Sequence, residues 1–278
     1  MMQTLYHYTD LNALLGIIQN KKLWLTGAYN LNDHQEIKWA LSKIHEKLVE
    51  YNGKCSDDRA QLCWQLIELS VGVPYICSLS ETSDLLSQWR AYASNGDGVS
   101  IGLKKEALPA SNRLPINSII PKDSLSLHKV IYQETTQNEI IDSLLGKLFQ
   151  YKELDSEAHM EMSLIASNLS GIVSLFKNEA FYEEQEWRII HRPFITGNHE
   201  ITSSRIDQSI SEPRYRISNG KRLVTYFEYD FFGAKPEDIF SEIILGPRSE
   251  VSDYDLSILL GENGLDVIPI KRSKASYR

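Results

Sequence analysis

The run Glu184-Gln185-Glu186-Trp187-Arg188-Ile189-Ile190 places two carboxylates two residues apart, at what reads as the start of a β-strand. Side chains i and i+2 of a strand share a face, so Glu184 and Glu186 are expected to project side by side. Two like charges that close raise at least one pKa, which suits catalysis better than stability. Arg188 falls on the same face and can pair with Glu186, so a structural ion pair is the alternative. A second polar cluster sits near the start of the chain, where Leu5-Tyr6-His7-Tyr8-Thr9 reads as a short strand running into a helix cap. Strand ends often carry binding residues, although a lone histidine such as His7 is commonly a satisfied structural group. Trp89 and Tyr92 share a helix face, either as core or as a ring-stacking platform.

Other chemistries lack their signatures. No Walker-type phosphate loop, GxGxxG or His-Glu-x-x-His is present, and Asn95-Gly96-Asp97-Gly98 is an ordinary turn signal. Asp33 and Glu36 have the spacing of a helix capping box, and capping is the favoured reading of both. The three cysteines, Cys55, Cys63 and Cys77, are odd in number and lack CxxC spacing. Reduced, packed thiols are expected rather than disulfides or a zinc site, and no metal is expected at all. A net charge of -8 argues against broad attraction to nucleic acid or anionic membrane. A local basic patch remains open, and the C-terminal Lys271-Arg272-Ser273-Lys274 run with Arg278 is one candidate. No leader pattern opens the chain, and no stretch approaches the roughly 20 apolar residues of a membrane span. A soluble, cytoplasmic protein is expected.

The elements that must position these residues follow from periodicity. Helices are expected over Thr9 to Lys22 (apolar stripe Leu11, Leu14, Leu15, Ile18), from Asn32 onward, over Asp57 to Ser70, from Ser83 or Asp84 to Ala93, and near Ser252 to Leu260. Strands are expected at Leu23 to Leu25, Val73 to Leu79, Val99 to Leu103, His128 to Tyr132, from Glu186, at Lys221 to Tyr229, Ile243 to Gly246 and Val267 to Ile270. Residues 104–126 read as a surface excursion, 136–178 as a helical insertion, and 194–220 as a long polar loop. One α+β domain spanning 1–278 accounts for this order.

The combination of motifs resembles the ADP-ribosyltransferase superfamily. His7-Tyr8-Thr9 followed by Leu14-Leu15-Gly16-Ile17-Ile18 looks like the opening of its bacterial base-modifying toxin branch and of the RNA 2′-phosphotransferases. Tyr75-Ile76-Cys77-Ser78-Leu79-Ser80 with Gln88-Trp89-Arg90-Ala91-Tyr92 resembles the strand and helix in which that family stacks an aromatic ring on nicotinamide. Glu184-Gln185-Glu186 resembles its Glu/Gln-x-Glu element. The whole chain also resembles a poorly characterised bacterial family with a His-Tyr start, Asn-Asp-x-x-Glu (Asn32, Asp33, Glu36), Ser-Leu-Ser and Glu-x-Glu-Trp-Arg.

The resemblance implies an ADP-ribosyltransferase-like split mixed β-sheet with surrounding helices, and NAD as co-substrate in a cleft between the halves. It implies a mono-ADP-ribosyltransferase acting on RNA, DNA or protein, as a bacterial toxin or phage-defence effector with an antitoxin as candidate partner. Glu186 would bond the ribose 2′-hydroxyl, Glu184 would act as general base, and His7 with Tyr8 and Thr9 would hold the dinucleotide. Tyr92 or Trp89 would stack on nicotinamide, Ser80 would bond its amide, and Tyr75 is a further ring contact. Two alternatives stand beside it: an NAD glycohydrolase or degenerate nucleotide-binding module, and a non-enzymatic interaction protein whose glutamates form a docking face.

Overall fold

The computed structural model describes residues 3–30, 34–53, 57–109, 114, 124–196, 198, 200–202, 209–218, 220–231 and 234–277. The first half runs Thr4–Thr9 (β1), Leu11–Asn20 (α1), Lys22–Gly27 (β2), His34–Asn52 (α2), Arg59–Val71 (α3), Tyr75–Ser80 (β3), Leu86–Tyr92 (α4), Val99–Lys104 (β4) and Leu125–Lys129 (β5). It continues with Glu134–Leu148 (α5), Ser156–Ile172 (α6), Glu186–His191 (β6), Phe194–Ile195 (β7), Ile201–Thr202 (β8), Arg214–Ser218 (β9), Arg222–Asp230 (β10), Pro236–Ile239 (α7), Phe240–Leu245 (β11), Asp253–Glu262 (α8) and Ile270–Arg272 (β12). The fold is α+β, built on a 10-stranded, mostly antiparallel open sheet in which, among the described strands, β12 pairs in parallel with β11.

One strand organises the sheet. β6 occupies one edge of β3 along its whole length, from Tyr75↔His191 to Ser80↔Glu186. The other edge is divided. β2 pairs with its start at Ile76 and Tyr75, and β1 touches only its end, at Tyr6↔Ser80. β1 and β2 both run antiparallel to β3, so beyond these contacts both head for the same stretch of edge, Cys77-Ser78-Leu79. A strand edge bonds only one neighbour, so the two fork apart. β1 continues on β4, with Tyr8↔Ser100 and Thr9↔Val99, while β2 continues on β10, with Trp24↔Glu228. Helix α1 bridges the fork. Asp10 caps it by accepting from the Ala13 N–H at 2.8 Å, and left-handed Lys21 ends it by donating to Ile17 O at 2.8 Å.

Two cores flank the sheet. One gathers Leu5, Ile18, Leu25, Ile101, Phe227 and Ile243 around α1 and α8. The other packs α2, α3, α5 and α6 through Ile44, Ile67, Leu145 and Leu169 onto Ile76 and Ile190 of the sheet. Buried Arg192 ties the helices to the sheet, donating to Ser70 O at 2.6 Å, Val71 O at 3.1 Å and Ser170 Oγ at 3.0 Å. These carbonyls lie in the last turn of α3, where a helix leaves acceptors unpaired.

Several expectations shift. The α1 stripe is Leu14, Ile17 and Ile18, with Leu11 and Leu15 exposed, because the helix turns a different face to the sheet. β5 starts at Leu125, ahead of the expected His128. The helical stretch is two helices, and the polar stretch 194–220 contains β9 as well as β7 and β8. β9 is an edge strand at one end of the sheet, with exposed Tyr215 and Ile217. An edge strand open to solvent does not need the apolar alternation by which strands are recognised. Cys63 and Cys77 are buried free thiols, and Cys55, Asn32 and Asp33 lie outside the described residues. Among the described residues no helix is long and apolar enough to cross a membrane.

The end of β1 rests against a glycine. A Cβ placed on Gly98 would lie 2.2 Å from the carbonyl oxygen of Thr9, and backbone cannot swing aside as a side chain can. Gly98→Ala is therefore expected to destabilise the protein by about 2 kcal/mol or more, read as a lower urea midpoint at unchanged slope. An unchanged midpoint would show that the fork closes around a Cβ without cost.

Candidate functional site

The fork opens into a cavity of about 580 Å³, within the range of small-molecule pockets. Its floor is β3 from Ile76 to Leu79, whose edge β1 and β2 leave unpaired over Cys77 to Leu79. β1 contributes Tyr6 to Thr9, β2 contributes Lys22, Trp24 and Thr26, and α4 contributes Gln88 and Tyr92. Glu184 and Glu186 close one wall, and Arg216 reaches in from β9.

Glu186 begins β6 and is 4% exposed. A buried carboxylate is costly unless paired, and here it is paired from behind. Arg188 Nε donates to Glu186 Oε1 at 2.7 Å and one guanidinium NH2 to Oε2 at 3.0 Å, while Lys177 Nζ lies 3.0 Å from Oε2. Burial pushes the Glu186 carboxyl up, but Arg188 and Lys177 outweigh it and hold the pKa at about 2. Lys177, itself buried, also reaches Glu184 Oε2 at 2.6 Å and Glu36 Oε1 at 3.2 Å. Arg188 completes the cluster by donating to Glu36 Oε2 at 2.7 Å and to Ser174 O at 2.8 Å. Burial disfavours the ammonium of Lys177, but the surrounding carboxylates hold its pKa above the ordinary value. Glu184 moves the other way from Glu186: burial raises its pKa, and Lys177 offsets only part of that. The two glutamates therefore differ in proton affinity, the condition under which a carboxylate pair divides into a fixed anion and a proton acceptor.

The route to this pairing is not the expected one. Glu184 is not on the strand. It ends a 3₁₀ turn, Glu179–Glu184, and left-handed Gln185 (φ 45°) redirects the chain before β6 starts. The two carboxylates meet because both reach Lys177, not because strand geometry aligns them. Their main chains are pinned on both sides: Ser80 Oγ donates to Glu184 O at 2.7 Å, and the Glu186 N–H donates to Tyr132 Oη at 3.0 Å.

His7 faces the cavity from β1. Its Nδ1 lies 3.0 Å from Ser78 O, a contact that requires Nδ1–H to donate and leaves Nε2 as an acceptor. Burial lowers its pKa, so the ring is neutral near pH 7. The Cys77 thiol lies 3.8 Å away and is pushed up to about 12 by burial, so it stays protonated. Thr9 and half-exposed Tyr92 line the cavity. Tyr8 borders it, but its hydroxyl is used, donating to Thr82 O at 2.8 Å and accepting from Leu85 N–H at 2.9 Å.

Three expected contacts lie elsewhere. Trp89 is fully buried edge-on against Tyr8 with its Nε1 donating to Asp84 at 2.7 Å, which leaves Tyr92 as the α4 ring at the cavity. Tyr75 is buried edge-on against Phe227, in the core behind the floor. The Ser80 hydroxyl is spent on the Glu184 carbonyl, so it braces the site from outside. Glu36 turns its carboxylate oxygens to Lys177 and Arg188, while its capping partner Asp33 lies outside the described residues. Lys177 has no sequence signal beyond ending an apolar run, and Lys22, Trp24 and Arg216 sit on strands whose facing only the fork reveals. Among the described residues no group of His, Cys, Asp and Glu is placed to hold a metal ion.

Residues 88–189 match a family model described as a protein of unknown function, DUF2971. The matched span holds Tyr92, Lys177, Glu184 and Glu186, and leaves out the β1 and β2 walls. No curated protein and no solved structure matches the chain.

The Glu186 pairing has a consequence for acid stability. Its folded pKa of about 2 lies below the ordinary glutamate value of 4.5, so its contribution is complete above pH 4.5 and is lost as pH falls toward 2. Glu184, shifted upward, opposes this slope in both wild type and variant. Urea unfolding between pH 6 and pH 3 is expected to show a shallower loss of stability in Glu186→Gln than in wild type. Parallel slopes would mean that Glu186 is not held as an anion.

Proposed function

We propose that the fork cavity binds NAD and that the protein is a mono-ADP-ribosyltransferase acting on a macromolecular acceptor. The observation that carries this reading is the buried, ionised Glu186 on the wall of a cleft formed where β1 and β2 fork from β3. It agrees with the motif resemblance of the β1 and β6 segments, and the forked sheet is read, as part of the same proposal, as the split sheet of an ADP-ribosyltransferase.

The chemistry asks little of the protein beyond charge and position. When the bond between ribose C1′ and nicotinamide breaks, nicotinamide leaves with the bonding pair and positive charge develops on the ribose. An anion fixed in a low-dielectric wall stabilises that charge without having to reorganise. With all three carboxylates ionised, Glu36, Glu184 and Glu186 exceed Lys177 and Arg188 by one negative charge. Glu184, with its higher proton affinity, takes the acceptor proton as the acceptor attacks C1′ and then releases it to solvent. Neutral His7 offers Nε2 to a ribose hydroxyl, Thr9 holds the dinucleotide beside it, and Tyr92 supplies a ring face for nicotinamide. The reading as a charged docking face is disfavoured, because Glu186 is buried and its neighbours are committed to Lys177.

Purified protein is incubated with NAD labelled in the adenylate portion, alone and with cell lysate. Wild type is expected to release nicotinamide and to label RNA, DNA or protein. Glu186→Gln should lose at least 100-fold in rate while remaining folded. Glu184→Gln should lose transfer more than nicotinamide release. Free ADP-ribose without macromolecular label would make the protein a glycohydrolase, and no NAD turnover in either condition would reject the proposal.

A further inference from the structure

We propose that Arg216, with Trp24 beside it, forms a phosphate subsite for a nucleotide diphosphate on the β2–β9 wall of the cavity. The inference rests on the reading of the cavity as a nucleotide site, but not on transfer chemistry.

The argument starts from charge accounting. Lys22 and Arg216 are the cations lining the cavity. Lys22 is already served, with its ammonium 3.3 Å from Glu228 and 3.4 Å from Asp230. Arg214, two residues from Arg216 on the same strand, also pairs with Glu228, at 3.2 Å. Arg216 is different. Among the described residues it makes no hydrogen bond or ion pair, and its Nε is buried without a partner. Its guanidinium is held only by the indole of Trp24, 5.5 Å from the ring centroid. A guanidinium with its Nε buried and no anion among the described residues has unused donors, and its planar fork matches phosphate or carboxylate oxygens in pairs.

The surroundings select phosphate carried by a nucleotide. Trp24 is 46% exposed and is fixed from below by Tyr226, with ring centroids 4.5 Å apart. It offers an apolar edge for a base or ribose next to the anion contact. The opposite requirement comes from Glu184 and Glu186, whose field repels a diphosphate from their wall. One ligand satisfies both walls when its anionic part lies at Arg216 and its electron-poor part at the glutamates. Stacking on Trp24 holds the guanidinium in place before the ligand arrives, so less side-chain entropy is lost on binding.

The test is calorimetric titration with ADP, adenosine and inorganic pyrophosphate on wild type, Arg216→Gln, Arg216→Lys and Trp24→Phe, with Trp24 fluorescence as a local readout. Wild type is expected to prefer ADP to adenosine and to bind pyrophosphate weakly, with quenching that disappears in Trp24→Phe. Arg216→Gln should weaken ADP by about 10- to 100-fold and leave adenosine unchanged, and Arg216→Lys should recover part of the loss. Equal ADP affinity in wild type and Arg216→Gln, or no ADP binding at millimolar concentration, would overturn the subsite. The two proposals separate cleanly. ADP binding through Arg216 without NAD turnover keeps the subsite and rejects the transferase. NAD turnover with an unchanged KM in Arg216→Gln does the reverse.

Discussion

The burial of one negative charge governs this structure. Glu186 lies almost out of water, and a lone carboxylate there would protonate rather than remain charged. Lys177 and Arg188 keep it ionised, and both are as buried as their partner. Each cation then needs further anions, which Glu36 and Glu184 provide. The result spans α2, the stretch after α6, the 3₁₀ turn and β6. The helical half of the molecule is therefore joined to the sheet through the same charges that would do chemistry. Removing one partner from such a cluster is strongly destabilising, about 3–5 kcal/mol, so the site and the fold are under a shared constraint.

The cavity arises from a second constraint, the limited hydrogen-bonding capacity of a strand edge. β3 gives one edge to β6 and divides the other between β1 and β2. The middle of that edge would carry bare carbonyls, and the protein uses one of them: Ser78 O accepts from His7. The histidine is thereby fixed in tautomer and orientation by the same discontinuity that creates the cavity. A continuous sheet would have neither the space nor the acceptor.

Sequence reasoning captured the parts of the site that depend on local order. Glu186 on β6, its pairing with Arg188, and the strand-to-helix passage at His7 and Thr9 all follow from periodicity and motif. It failed where a role depends on a partner far along the chain. Glu36 has capping-box spacing, and nothing in that spacing shows that its carboxylate also meets cations 141 and 152 positions away, at Lys177 and Arg188. Trp89 and Tyr92 are equivalent on a helical wheel, and only the packing of Tyr8 decides that Trp89 faces inward. Ser80 and Tyr75 lie on the expected strand, but one hydroxyl is spent on the Glu184 carbonyl and one ring is locked against Phe227. Arg216 sits in a stretch whose polarity reads as loop, because an edge strand needs no buried face.

The two walls of the cavity have different physical origins, and that difference bears on what ligand they fit. The glutamate wall is over-determined, since every charge in it has partners and its geometry exists before any ligand arrives. The β2–β9 wall is under-determined: among the described residues Arg216 has a ring to lie on but no anion to bind. Preorganised charge is what a transition state requires, because it must be stabilised faster than side chains can rearrange. Unsatisfied charge is what recognition requires, because its satisfaction is then supplied by the ligand. A cavity with fixed anions on one side and an unpaired guanidinium on the other is thus polarised along its length. On the proposed reading, the phosphates of the ligand lie at one wall and the developing cation at the other.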